Sequence, residues 1–248
     1  LNRVDYLSLR DQQSQQFASA LGVPFVPTID TAFAVPSKTP LPKALDFLKT
    51  MNYAVFVPNC LYRWHPDFKG LSHEQLDRFY QDIIGELLAR GMKVVMLPQL
   101  FGREKVDRPY FEQLVTRFGA DDVRVIEDHY NSDIQQSIIR HSSLVVGARY
   151  HSIVFAINNA VPFVCLSYEH KMLDTLKLLD LEMYSLTLSQ LLKQDDPLSP
   201  VKTLLEEIQA EQSATIKQIE KAGQRARELT RSSFQAFLSV LKNREENN

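Results

Sequence analysis

Between residues 53 and 186, short, continuously apolar stretches alternate with longer stretches of helical periodicity, and this alternation limits the folds open to the chain more than any other feature. The apolar stretches, at 53–58, 93–97, 123–126, 144–146, 163–166 and 183–186, have the length of strands. A strand that is apolar at every position, rather than at every second, is buried on both faces. The intervening stretches, at 72–90, 108–118, 132–141, 151–158 and 171–179, read as helices. In the first of them Leu76, Phe79, Ile83, Leu87 and Leu88 share a face, Ser72 with Gln75 three residues on forms an N-cap, and Gly91 is a stop. The order predicts an α/β fold: a doubly wound, mainly parallel sheet with helices on both faces. Ligands of such a sheet sit beyond the carboxyl ends of the strands, near helix amino termini.

The flanks are different. Residues 4–9 read as a strand and 11–21 as a helix closed by Gly22. Residues 28–42, with several prolines and little periodicity, read as a linker. The tail reads as two polar, amphipathic helices, 201–222 and 225–242, with a narrow stripe through Leu204, Leu205, Ile208, Ile216 and Ile219. The chain opens at Leu1 directly into strand and helix, which reads as part of a longer protein.

Charge narrows the partners. Twenty-eight basic against 30 acidic side chains give a net charge of −2, without the basic excess of a nucleic-acid binder. No stretch approaches the roughly 20 apolar residues of a transmembrane segment. Cys60 and Cys165 lie far apart with no second ligand at metal spacing, so they read as reduced core thiols, with neither disulfide nor metal site.

Two consecutive strand-to-helix junctions concentrate the chemistry. The first carries Gly147, Ala148, Arg149, Tyr150 and His151; the second carries Ser167, Tyr168, Glu169, His170 and Lys171. In a doubly wound sheet both face the same edge. The planar fork of Arg149 suits phosphate or carboxylate. His151 opens a helix, where backbone amides also favour an anion. On these residues alone the reading is an anion-binding α/β site, with surface ion pairs and helix caps as the plain alternatives.

The same residues carry a resemblance. Val145-Val146-Gly147-Ala148-Arg149-Tyr150-His151-Ser152, then Ala156, Val161-Pro162-Phe163 and Ser167-Tyr168-Glu169-His170-Lys171 resemble the carboxyl-terminal signature of the polysaccharide pyruvyl transferase family. Tyr150 stands where leucine is commoner. Ser8-Leu9-Arg10-Asp11, Ser14, Leu21-Gly22-Val23, Asp30-Thr31-Ala32-Phe33 and Met96-Leu97-Pro98-Gln99 are similar to earlier family stretches, so the resemblance spans about residues 5–186.

The resemblance implies two Rossmann-like domains facing across a cleft, the glycosyltransferase-B (GT-B) arrangement. Residues 1–36 would end an amino-terminal domain otherwise absent from the sequence, 37–200 would form the carboxyl-terminal domain, and 201–248 would be helices packing back on the first. It implies transfer of a pyruvyl group from phosphoenolpyruvate to a pair of sugar hydroxyls, forming a ketal in bacterial exopolysaccharide or cell-surface glycan synthesis. The place would be the cytoplasm, at the inner membrane face where the saccharide acceptor is lipid-linked. Arg149 and His151 would be catalytic. Arg149, Lys171 and Arg10 would hold the donor's phosphate and carboxylate, and His151 would move protons. Glu169 and Asp11 would orient cations or meet sugar hydroxyls, with Gln99 and Ser152 as further substrate contacts. No metal is expected, and no cofactor beyond phosphoenolpyruvate as donor substrate. Trp64 with His65, after the first sheet strand, could stack on a sugar. The alternatives are a GT-B nucleotide-sugar glycosyltransferase, with Glu169 on a ribose, and a non-catalytic carbohydrate-binding relative.

Overall fold

The computed structural model describes residues 4–70, 72–101, 107–126 and 129–246. Its centre is a six-stranded sheet: β3 (Tyr53–Val57), β4 (Lys93–Met96), β5 (Val123–Val125), β6 (Leu144–Gly147), β7 (Phe163–Ser167) and β8 (Ser185–Thr187). Every pairing is parallel, in the order β5-β4-β3-β6-β7-β8. The chain therefore starts in the middle, winds outward to β5, returns and winds outward the other way to β8. β3 and β7 are buried at every residue, as continuous apolar strands between two helix layers must be.

The connecting helices are α2 (His73–Ala89), α3 (Asp107–Leu114), α4 (Ser132–Arg140), α5 (Tyr150–Asn158) and α6 (His170–Leu178), preceded by α1 (Gln12–Ala20). Right-handed crossovers in opposite directions place helices on opposite faces; α2 packs on α3, and α4 on α5. Ser72 and Gln75 form a complete capping box at the start of α2. Gly22 and Gly91 close their helices with φ of +64° and +75°, which a side chain would disfavour. Cys60 and Cys165 are free, buried thiols; loss of hydration pushes Cys165 up to about 12.

Several expectations need correction. The strand expected at 4–9 shrinks to β1 (Ser8–Leu9), which pairs in parallel with β2 (Val26–Pro27), apart from the main sheet. The expected linker at 28–42 contains a packed 3-10 turn, Thr31–Ala34, with Ile29 and Phe33 fully in the core. Met183 lies in a second such turn, Glu182–Tyr184, before β8.

After the short α7 (Leu188–Leu191), the tail forms α8 (Ser199–Ala210) and one 35-residue helix, α9 (Gln212–Glu246). The break falls at Glu211, and the helix runs straight through Gly223. That glycine is a packing residue: a Cβ there would lie 3.0 Å from the Ile157 carbonyl oxygen, so its absence lets α9 approach α5. α9 also packs on β2 and on the Thr31–Ala34 turn, and the Tyr6 hydroxyl donates to the Ser233 carbonyl at 2.6 Å. The tail thus clasps the amino-terminal segment to the back of α5.

Candidate functional site

The strand order reverses between β3 and β6, which opens a crevice at their carboxyl ends. Asn59, fully buried, ties the two ends together: its amide reaches the Ala148 carbonyl at 3.4 Å and accepts from Trp64 Nε1 at 3.4 Å. β6 stops at Gly147, where a Cβ would collide with the Ser152 hydroxyl. Ser152 is wholly buried and donates to the Arg149 carbonyl at 2.6 Å. Expected as a substrate contact, it instead fastens the β6–α5 turn from inside. The turn delivers Arg149 as the N-cap residue of α5, followed by Tyr150 and His151 in the first turn.

Arg149 is turned toward the end of β4. Its Nη2 is paired with Asp107, and their side chains are only 16% and 3% exposed. Asp107 is itself anchored by the Gln99 and Leu100 amides, at 3.0 and 2.9 Å. One guanidinium donor of Arg149, Nε, is buried without a partner. An orphaned buried donor beside an engaged one is an arrangement that an incoming anion oxygen would complete.

Arg10 and Lys171 come together elsewhere, around Tyr150. The Arg10 guanidinium carbon lies 5.8 Å, and Lys171 Nζ 5.9 Å, from the Tyr150 ring centroid. Arg10 pairs with Asp30, which also caps the 3-10 turn by accepting from Ala32 N at 2.9 Å. Lys171 pairs with Glu169 at 2.7 Å. Burial raises the Tyr150 phenol to about 12 and the hydroxyl meets Thr175 at 3.2 Å, so it is a neutral support for cations, not a base. Asp11 caps α1 through Ser14 N at 2.7 Å, and this bond holds its pKa low, away from any substrate duty.

His151 is exposed toward a cleft of about 660 Å³. Partial loss of hydration lowers its pKa below 6.5; Asp30 pulls it up, while Arg10 and Lys171 push it further down. The ring is therefore neutral at pH 7 and able to accept a proton. Gln99 lines the same cleft, with its amide on Gln135 Oε1 at 3.2 Å and its own Oε1 buried without a partner. Trp64 is half-buried and edge-on to Tyr168 and His65, with ring centroids 5.8 and 5.4 Å apart, so it packs the loop after β3.

The structure brings Arg10, Lys171, Glu169 and His151 together and directs Arg149 to a separate, buried partner. Sequence reasoning missed Asp107, Asp30 and Tyr150 as site residues. Asp30 and Tyr150 lay inside the quoted motifs, whereas Asp107, 42 residues from Arg149, carried no local signal. Among the described residues no group of three or more His, Cys, Asp or Glu is placed to hold a metal, and no helix is long and apolar enough to cross a membrane.

Residues 1–170 match the family described as polysaccharide pyruvyl transferase. The chain belongs to that family. The amylovoran biosynthesis protein AmsJ of Erwinia amylovora is 25% identical over 192 residues, which cover 73% of this chain and 46% of that protein. The chain thus spans about half the length of this curated relative. Among solved structures, TcCGT1 in complex with UDP matches with a TM-score of 0.63 at 14% identity, covering 100% of this chain and 58% of that one. Sucrose-phosphate synthase of Thermosynechococcus elongatus matches with 0.60 at 10% identity, covering 99% and 60%. Both likenesses concern the fold, which is that of one part of a GT-B glycosyltransferase.

Proposed function

We propose that this chain supplies the donor side of a pyruvyl transfer from phosphoenolpyruvate to two hydroxyls of a saccharide, in the assembly of an exopolysaccharide. Family membership supports the reaction class, and the observation that carries the site is the grouping of Arg10, Lys171 and His151 around Tyr150 at the carboxyl edge of the sheet. The β1–β2 pair is separate from the six-stranded sheet, consistent with residues 1–36 belonging to a second domain that would face this edge.

The chemistry makes definite demands. The methylene carbon of phosphoenolpyruvate gains one proton, and two sugar oxygens bond to the carbon beside the carboxylate. The carbon–oxygen bond to phosphate breaks, and the second hydroxyl proton leaves on phosphate. Three negative charges on the donor call for cations, and Arg10 and Lys171 are open enough to meet them, at 50% and 39% side-chain exposure. Arg149, held by Asp107, offers its orphaned Nε. His151, neutral at pH 7, takes the proton of the attacking hydroxyl and relays it. No step calls for a metal or a further cofactor.

The glycosyltransferase reading would use Glu169, which faces Lys171 at 2.7 Å, to hold ribose hydroxyls. Titration of the chain with phosphoenolpyruvate, followed by NMR, tests the choice. Saturable shifts at Arg10, His151 and Lys171 are expected. Shifts with a nucleotide sugar but none with phosphoenolpyruvate would overturn the reading, and no response to either would mean that binding needs the second domain as well.

A further inference from the structure

The cleft beside His151 differs in chemistry from the cationic group around Tyr150. Its walls come from the Asp30–Ala32 turn, the end of β4 at Gln99, the first turn of α4 and the outer side of α5. Its charged side chains are Asp30 and Asp133, with His151 neutral; among the described lining residues there is no lysine or arginine. Of the described cations that act on His151, Arg10 is tied to Asp30 and Lys171 to Glu169. Among the described lining residues a phosphate or carboxylate would find no counter-charge.

The remaining groups suit hydroxyls. Ser132 and Thr31 present exposed side chains, and the Asp133 carboxylate, in the first turn of α4, makes no ion pair or side-chain hydrogen bond among the described residues. Gln99 brings an unsatisfied carbonyl oxygen. Phe155, on α5 one turn beyond His151, adds an aromatic surface, with ring centroids 5.9 Å apart. Carboxylates, hydroxyls and amides beside an aromatic edge match a pyranose, which offers several neutral donors and acceptors around apolar C–H faces. The volume, about 660 Å³, is within the usual range for a small-molecule site.

We infer that this cleft is the subsite for the neutral saccharide that accepts the transferred group, with Asp133 as its principal hydroxyl-binding residue and His151 on the border with the donor site. The inference rests on the pyruvyl-transfer reading for the word acceptor, and on the cleft alone for the word saccharide. His151 then stands between the cations grouped around Tyr150, which take the charged donor, and an acidic cleft that takes a polyol. That is where a base must stand to receive a hydroxyl proton during attack on the donor carbon.

The test is NMR titration of the full chain with methyl pyranosides of gluco, galacto and manno configuration, alone and with phosphoenolpyruvate. At least one glycoside is expected to shift the amides of Ser132 and Asp133 and the His151 ring, leaving Lys171 unmoved. Asp133→Ala is expected to weaken that binding at least tenfold while phosphoenolpyruvate affinity stays within twofold. Asp133→Asn, which keeps hydrogen bonding, should recover part of the loss. If the glycosides shift only the Trp64 loop, or no residue at all, the saccharide subsite is overturned, whether or not phosphoenolpyruvate binds. If glycosides bind the cleft but phosphoenolpyruvate does not bind the chain, the saccharide site stands and the pyruvyl-transfer reading fails.

Discussion

The two cation centres of the site hold their charges in opposite ways. Arg149 and Asp107 form a pair almost sealed from water, at 16% and 3% exposure, with the carboxylate locked by two backbone amides. Arg10 and Lys171 sit half-open beside a phenol ring, each with its own carboxylate, Asp30 or Glu169. A buried pair cannot lose one member without stranding the other, whereas an exposed pair exchanges its partner for water or ligand at little cost. The first centre therefore belongs to the framework as much as to the site, and the second is the adaptable one. The sequence motif shows Arg149 and Lys171 as equivalent; only the fold separates them.

The largest effect should come from cutting the buried pair. Asp107→Ala or Arg149→Ala is expected to cost about 3–5 kcal/mol of stability, read by denaturant unfolding. The double replacement Asp107→Leu with Arg149→Met should recover most of that stability yet bind phosphoenolpyruvate far more weakly than the parent chain. Should the double variant bind the donor normally, Arg149 is purely structural and the contrast collapses to one centre.

Next in size, Arg10→Ala and Lys171→Ala should each lower donor affinity about tenfold or more by titration calorimetry, with the loss of one charge-assisted hydrogen bond. The unfolding free energy of Lys171→Ala should stay within about 1 kcal/mol of the parent, whereas Arg10→Ala should lose more, because it leaves the buried Asp30 carboxylate with the Ala32 amide and no counter-charge. A stability loss as large as that of Asp107→Ala would show that the open centre is framework too.

Proton binding sharpens the picture further. An NMR titration of the His151 ring should give a midpoint below 6.5, because lost hydration disfavours the cation. Asp30→Asn removes the carboxylate that raises this pKa, so the midpoint should fall further; Lys171→Met removes a cation that lowers it, so the midpoint should rise. On the proposed role of the neutral ring as base, turnover in the assembled enzyme should drop as pH falls through that midpoint, with the acid limb moving the same way in each variant. A midpoint unmoved by both changes would detach His151 from the open centre.

The smallest effect belongs to Glu169→Gln. Releasing Lys171 from its carboxylate should tighten phosphoenolpyruvate binding a few-fold with almost no change in stability, about 0.5 kcal/mol or less. Weaker binding instead would make Glu169 a positioning residue for the lysine.

Most of the architecture was legible because it is written locally. Continuous apolar strands, the Ser72–Gln75 capping box and the stops at Gly22 and Gly91 each depend on neighbours a few residues away. The misreadings share the opposite cause. Gly223 reads locally as a helix end, but its meaning lies in the Ile157 carbonyl on another helix. Residues 28–42 lack periodicity, yet Phe33 is buried by elements far along the chain. Ser152 reads as one more polar residue of a motif, whereas Gly147 and the Arg149 carbonyl claim it from inside. Asp107 acquires its role only when β4 and β6 are brought to either side of β3. Residue types announce a cation or a proton carrier; which carboxylate each one meets is decided by long-range contacts.

The clasp of α9 orders these events in time. Tyr6 and Ser233, hydrogen-bonded to each other, are 227 residues apart in the chain, and the segment bearing Arg10 and Asp30 packs against a helix that is made after the whole sheet. Contacts of such separation form late, because closing the loop between them costs entropy before it is repaid. During synthesis the sheet, with Arg149, Asp107 and His151 in place, can settle while Arg10 still waits for its seat. A polypeptide that lacks α9 would carry a finished framework and an unfinished open centre, so the seat of Arg10 depends on a helix far along the chain from it.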